Sequence, residues 1–295
     1  MTRFSRIVSI LTVTVSVGLL LTFCPAAYPN QDSGSLQIKG SDTMVNLGQA
    51  WAEEFMMKHP EASIAVTGGG SGTGIASLIN GTCDVAEASR EMKPQELDIA
   101  KQNGRDVREY KVAIDAVAVV VNPSNPVKEL TVEQMSRIYT GEYTNWKELG
   151  GKDQKILALS RERNSGTHVF FLEHVVRKGN EKGPEQFAPP VLMLPSSQAI
   201  IEEVAQSEGT IGYVGLGYVS PRVKPLGVSK SPEGPFIYPT MGTALDGAYP
   251  LSRYLLFYTA TEPHGIEKTF IDFVLSDEGQ KIVETMDFVP LRKKA

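Results

Sequence analysis

Three stretches of this 295-residue chain place small hydroxyls and glycines where they could grip an anion. The first is Gly40-Ser41-Asp42-Thr43, the second Gly70-Ser71-Gly72-Thr73-Gly74 and the third Asn164-Ser165-Gly166-Thr167. Each follows a run that reads as a strand and precedes one that reads as a helix. At a helix start the unpaired backbone N–H groups and the helix dipole favour negative charge. Ser and Thr hydroxyls rotate to add donors, and glycine lets the backbone approach closely. Arg161 stands just ahead of the third stretch. A planar guanidinium suits a tetrahedral oxyanion, which it meets through two parallel bonds. Each feature also has a plainer use. Ser and Thr cap helices, and an arginine at a strand end can simply face solvent. One plan repeated three times makes an oxyanion site the expected chemistry.

Other chemistries are not spelled out. The loop at 68–74 lacks the Lys-Ser/Thr ending of a nucleoside-triphosphate loop and does not read G-x-G-x-x-G. No G-x-S-x-G elbow surrounds Ser71 or Ser165. The histidines, His59, His168, His174 and His264, form no H-E-x-x-H, and two cysteines cannot build a thiolate metal site. Neither a cofactor nor a metal is expected.

The elements that must carry these loops alternate along the chain. Residues 36–39 read as a strand. Residues 43–59 read as a helix from the spacing of Leu47, Trp51 and Phe55, stopped by Pro60. Strands are expected at 62–67 and 84–88, with helices at 75–80 and 97–103. The apolar run 117–121 is typical of a strand buried on both faces. Beyond it come helices at 131–139, 166–178 and 197–206, and strands at 156–160, 211–214 and 255–258. Helices at 266–276 and 279–285 close the chain. This order predicts an α/β fold with mostly parallel sheets covered by helices. Two lobes joined by short strand-like crossings would fit. Lobe one is expected at 35–115 with a return segment at 240–292, and lobe two at 116–239.

Composition is that of an ordinary soluble protein, 41% hydrophobic and 21% charged. The net charge of −5, with Lys and Arg scattered, argues against a nucleic-acid partner. It does not argue against an anionic ligand, which responds to the local field in a cleft. Arg3 and Arg6, the apolar stretch 7–23 and the small residues Ala26 and Ala27 describe a secretory signal peptide at 1–26. A membrane anchor is the other reading of such a run. Cys24 either leaves with the signal or carries a lipid; Phe23 stands where a lipoprotein signal wants a small residue. Cys83 is the other cysteine, so the cleaved chain has no intramolecular disulfide.

The sequence resembles the phosphate-binding proteins of bacterial phosphate ABC importers, of the type 2 periplasmic binding protein family, from about residue 36 to 291. The resemblance rests on KGSDTMVNL at 39–47, GGGSGTGIASL at 68–78, DVAEASREMK at 84–93 and LTVEQMSRIYTGEYTNWKELGG at 130–151. It continues through SRERNSGTHVFF at 160–171, GTIGYVGLGYV at 209–219 and YPLSRYLLFYT at 249–259. It implies a two-lobed fold with the ligand cleft between the lobes. It also implies an exported, non-catalytic monomer that captures inorganic phosphate for the permease subunits of an importer. Carried over by position, the phosphate contacts fall at Thr43, Ser71, Arg161, Ser165, Gly166 and Thr167. Ser41, Asp42 and Gly72 share these loops, and Ser197 and Gln198 open a further helix bordering the cleft.

One position departs from the resemblance. Well-known members carry a Ser-Asp pair whose aspartate accepts a proton from phosphate and so helps reject sulfate; here the pair is Ser89-Arg90. Asp42 and Glu87 are the carboxylates available to take its place. Arg90 either adds a second cation to the cleft or faces solvent. Two other functions fit the same loops. A secreted phosphatase-like hydrolase would need an activated nucleophile beside a base, or a metal cluster, which the sequence does not place. A phosphate-sensing or surface protein could have kept the binding fold without transport.

Overall fold

In β1 (Gly34–Gly40) Leu36 and Ile38 alternate inward, as a half-buried strand requires. The computed structural model describes residues 34–291, so the expected signal segment and Cys24 lie outside the described residues. α1 (Val45–Lys58) buries Leu47, Trp51 and Phe55 on one face. β2 (Ala62–Thr67), α2 (Ser71–Asn80), β3 (Val85–Ala88) and α3 (Pro94–Gln102) follow. β4 (Arg108–Val121) then runs for 14 residues. Next come β5 (Glu129–Thr131), α4 (Val132–Tyr139), β6 (Leu157–Arg161), α5 (Gly166–Phe171), β7 (Leu192–Leu194), α6 (Ser197–Gln206) and β8 (Thr210–Gly215). β9 (Lys224–Pro225), β10 (Gly227–Ser229), α7 (Met241–Leu245), β11 (Ser252–Thr259), α8 (Gly265–Leu275) and α9 (Asp277–Thr285) complete the chain.

The main sheet has the order β2-β1-β3-β11-β4-β8-β6-β7, with β9 on β4; β10 and β5 pair apart from it. Parallel pairs, β2-β1-β3 and β8-β6-β7, form both ends. β11 runs antiparallel to β3 and β4, and β4 antiparallel to β8. β4 is therefore the strand that changes halves. Its residues 108–116 pair with β11, and Val117–Val121 pair with β8. Only 117–121 reads as a strand in sequence. The earlier stretch alternates polar and apolar residues and is only half buried, while the later one is buried on both faces.

Each half has its own core on both faces of the sheet. One cluster of the first half joins Leu36, Trp51, Phe55, Phe257 and Phe270, and the other joins Ile75, Leu78, Ala88 and Tyr258. The second half is built around Val119, Tyr139, Phe171 and Tyr213 on one side and Val120, Ile200 and Val214 on the other. The result is two α/β lobes sharing one sheet, as the resemblance implied.

One helix differs from its expected form. The helix read at 166–178 is α-helical only to Phe171 and continues as a π-turn over Leu172–Val176. Phe170, Phe171, Val175 and Val176 are all buried, and their five-residue spacing matches a π-turn rather than an α-turn.

Candidate ligand-binding site

The three hydroxyl loops meet where the two halves touch. The end of β1 is fixed by the Ser41 N–H donating to the Glu87 carbonyl at 2.8 Å, which brings the first loop alongside the end of β3. There the Ser41 hydroxyl donates to Ser89 Oγ at 2.9 Å. The second loop turns into α2 at Gly70, whose φ of +90° is glycine territory. Ser71 then lies 3.3 Å from the same Ser89 hydroxyl. From the other half, Ser165 caps α5 and accepts from the Thr167 and His168 N–H groups at 3.2 and 3.4 Å. Thr167 Oγ1 reaches Thr43 Oγ1 at 2.8 Å.

Gly166 makes this meeting possible. A β-carbon there would lie 2.4 Å from Ser71 Oγ and 2.6 Å from Ser89 Oγ, so no side chain fits. Loop-to-loop bonds hold the contact. The Gly72 N–H donates to the Asn164 carbonyl at 2.9 Å, and the Asn164 amide donates to the Gly69 carbonyl at 2.6 Å. Ser41, Thr43, Ser71, Ser89, Arg161, Ser165 and Thr167 are all 4% exposed or less.

Two arginines flank the hydroxyls. Arg161 donates to Asp42 Oδ2 at 2.8 Å, Ser197 Oγ at 3.0 Å and the carbonyls of Pro195 and Leu194 at 2.7 and 3.3 Å. Asp42 also accepts from the Ser197 N–H at 3.2 Å, so this pair ties the first loop to the start of α6. Arg253, on β11, donates through Nε and Nη2 to Asp115 Oδ2 at 3.1 and 2.8 Å. Its Nη1 donates to the Ser89 carbonyl at 2.9 Å and its Nη2 to Thr167 Oγ1 at 2.9 Å. The two residues are direct cross-strand partners on β11 and β4. Burial lowers the Arg253 pKa, against the opposing pull of Asp115.

The remaining candidates have other partners. Arg90 forms a bidentate pair with Glu96, at 2.8 and 2.7 Å, and lines a neighbouring cavity. Gln198 turns outward to Glu202. Gly72 is in the contact, but its N–H is taken by Asn164. Glu87 points away from the cluster: its Oε1 lies 2.2 Å from where a β-carbon on Gly48 of α1 would be. Neither carboxylate oxygen of Glu87 has a hydrogen-bond partner, and burial pushes its pKa up to about 8.

The hydrogen-bond directions decide what the cluster can hold. Ser71 Oγ accepts the Ser89 N–H, Ser165 Oγ accepts two N–H groups, and Thr167 Oγ1 accepts from a guanidinium. A hydroxyl that already accepts from a pure donor turns its own proton elsewhere. The cluster therefore offers protons and asks for lone pairs, as an oxyanion provides them. His168 adds no charge here. Burial brings its pKa down to about 4, and its Nδ1 lies 3.1 Å from the Ser160 hydroxyl. A cavity of about 550 Å³ opens beside the cluster between the halves, bordered by Ser89, Arg90, Lys93, Phe170, Glu173 and Arg253.

A sequence profile of the PBP superfamily domain matches residues 25–278. The phosphate-binding protein PstS of Pseudomonas aeruginosa is 33% identical over 279 residues, covering 89% of this chain and 84% of its own. The chain belongs to this family of PBP-superfamily proteins. PstS of Bacillus subtilis, another member, is 33% identical over 261 residues, covering 88% of this chain and 81% of its own. A crystal structure described as a phosphate ABC transporter substrate-binding protein with bound phosphate, from Clostridium perfringens, superposes with a TM-score of 0.78 at 35% identity. It covers 88% of this chain and all of the other.

Three members of the cluster were not picked out as ligand-site residues from sequence: Ser89, Asp115 and Arg253. The last two had a signal. Each is a charge inside an apolar strand, in VAIDAVAVV and in LSRYLLF, and such charges are buried only when paired. The pairing itself depends on β11 lying against β4, which a local reading cannot supply.

Proposed function

We propose that the protein captures inorganic phosphate outside the cytoplasmic membrane and delivers it to an ABC importer. One observation carries the reading: hydroxyls from both lobes converge with their acceptor sides occupied by N–H groups, leaving protons for an anion. The names of the PstS relatives supply the anion and the importer. The protein is a binding protein and not an enzyme. The Ser160–His168 contact is buried against Tyr213 and Phe187, away from the hydroxyl cluster's anion side. Ser41, Thr43, Ser71, Ser165, Gly166 and Thr167 are assigned to the phosphate, with Arg161 supplying positive charge beside them.

The assignment extends to motion and partners. Strand β4 would be one crossing of the hinge, at Ala116–Val117. The return crossing is proposed near residue 240, and the packing of Ala244, Tyr249 and Leu251 with Val117 and Val119 favours the part of that stretch nearest β11. A monomer closed on phosphate would then present both lobes to the permease subunits. Export by the 1–26 signal, with or without a lipid on Cys24, precedes this step.

Isothermal titration of purified mature protein with phosphate and with sulfate tests the reading, alongside native mass spectrometry for a co-purified ligand. Tight 1:1 phosphate binding is expected. No phosphate binding, or turnover of phosphate esters, would overturn it.

A further inference from the structure

The geometry points to Arg253 as a ligand-site residue that acts through Thr167. This rests on the phosphate-binding reading and adds to it a residue outside the three loops. Arg253 lies on β11, about ninety positions from the third loop, yet its Nη2 is 2.9 Å from Thr167 Oγ1. Its other bonds are to Asp115 on β4 and to the Ser89 carbonyl just past β3. One side chain thus touches both lobes and the strand that joins them. Phe170 packs beneath the guanidinium, 5.3 Å from its centre, and the residue is 8% exposed.

The chemistry follows from the guanidinium having only donors. It can approach Thr167 in one sense: N–H toward hydroxyl oxygen. The Thr167 proton must then point away, toward Thr43 Oγ1 at 2.8 Å or toward an anion. If it goes to Thr43, the Thr43 proton is turned outward in its place. Either way the pair presents a donor. Without Arg253, the Thr167 proton can turn into the space the guanidinium now fills, so the pair need not present a donor until the ligand binds. Asp115 holds the guanidinium in register through two bonds to one oxygen, while its other oxygen accepts the Leu216 N–H at 2.9 Å. Arg253 is thereby a positioning residue, separate from Arg161, whose donors go to Asp42, Ser197 and the 194–195 carbonyls.

Removing the arginine alone strands a buried carboxylate, so the test changes both partners of the pair. Thr167→Val is introduced into wild type and into Asp115→Asn/Arg253→Gln, and phosphate affinity is measured by titration calorimetry in all four proteins. Near-UV circular dichroism checks that each is folded. In wild type, Thr167→Val should weaken binding about tenfold or more, the loss of a hydrogen bond to a charged ligand. Asp115→Asn/Arg253→Gln should bind phosphate about tenfold less tightly than wild type. Adding Thr167→Val to it should cost less than about threefold more, because the hydroxyl's ordering is already lost. Equal losses in the two backgrounds would overturn the inference. So would complete loss of binding in a folded Asp115→Asn/Arg253→Gln protein, which would mean that Arg253 does more than order Thr167. Wild type that binds no phosphate would instead refute the functional reading on which the inference stands.

Discussion

At the scale of single residues, the proposed phosphate contacts depend on occupied acceptors. Ser71 and Ser165 both accept backbone N–H groups, so each has a proton left for the anion. Ser71→Ala and Ser165→Ala should each weaken phosphate binding by about 1.5–3 kcal/mol, the range for a hydrogen bond to a charged partner. Calorimetry reads this directly. Ser165→Ala should in addition cost about 1 kcal/mol of stability, because it removes the cap of α5. Thermal melts without ligand read this loss of stability apart from the loss of affinity. Arg161→Ala leaves Asp42 without its guanidinium partner and should cost about 2–5 kcal/mol of phosphate affinity.

At the scale of elements, two positions have separable consequences. Gly166 starts α5 against Ser71 and Ser89 of the other lobe. Gly166→Ala should oppose the loop contact by about 1–3 kcal/mol, the usual cost of overpacking. Small-angle scattering in saturating phosphate should then show a larger radius of gyration than wild type. Glu87 belongs to the packing between β3 and α1. Its carboxyl is fully buried without a hydrogen-bond partner, and its pKa is raised to about 8 from an ordinary value of 4.5. The folded protein therefore holds this proton where the unfolded chain has lost it. Stability from this group is fully present below about pH 4.5 and falls by about 1.4 kcal/mol per pH unit as pH rises toward 8. Glu87→Gln cannot ionise, so its melting temperature should gain on wild type steadily between pH 5 and 8. A constant gap would show that Glu87 ionises as freely folded as unfolded. Because the side chain lies on the α1 side of β3, the same substitution should leave competition by sulfate unchanged.

At the scale of the whole molecule, the proposed function makes binding and closure one equilibrium. The loops at 69–72 and 164–167 come from different lobes and meet through Asn164 and the hydroxyl cluster. A ligand that bridges them stabilises the folded protein by mass action, about 2.7 kcal/mol at a hundredfold excess over its Kd. The melting temperature should rise with phosphate concentration in wild type and much less in Arg161→Ala. A rise with sulfate equal to that with phosphate would show a site that reads charge without reading the anion's identity.

The sequence by itself determined the parts that rest on local rules. Helix spacing placed α1 at Leu47, Trp51 and Phe55, and the repeated strand–hydroxyl–helix plan marked Ser41, Thr43, Ser71, Ser165 and Thr167. These elements and loops are legible because caps, periodicity and glycine loops depend on neighbours along the chain. It also left Asp42 and Glu87 both open as a cleft carboxylate, with Asp42 favoured by its place between two expected contacts. Only the tertiary structure decided between such options. The packing of loops and helices put Asp42 on Arg161, turned Glu87 toward Gly48 and drew Arg90 to Glu96, and strand pairing set Arg253 opposite Asp115. A charged side chain's role is fixed by what lies across the sheet or the cleft, and those partners are 6 to 138 residues away in sequence. Local pattern carries the donors; the fold decides which way their protons point.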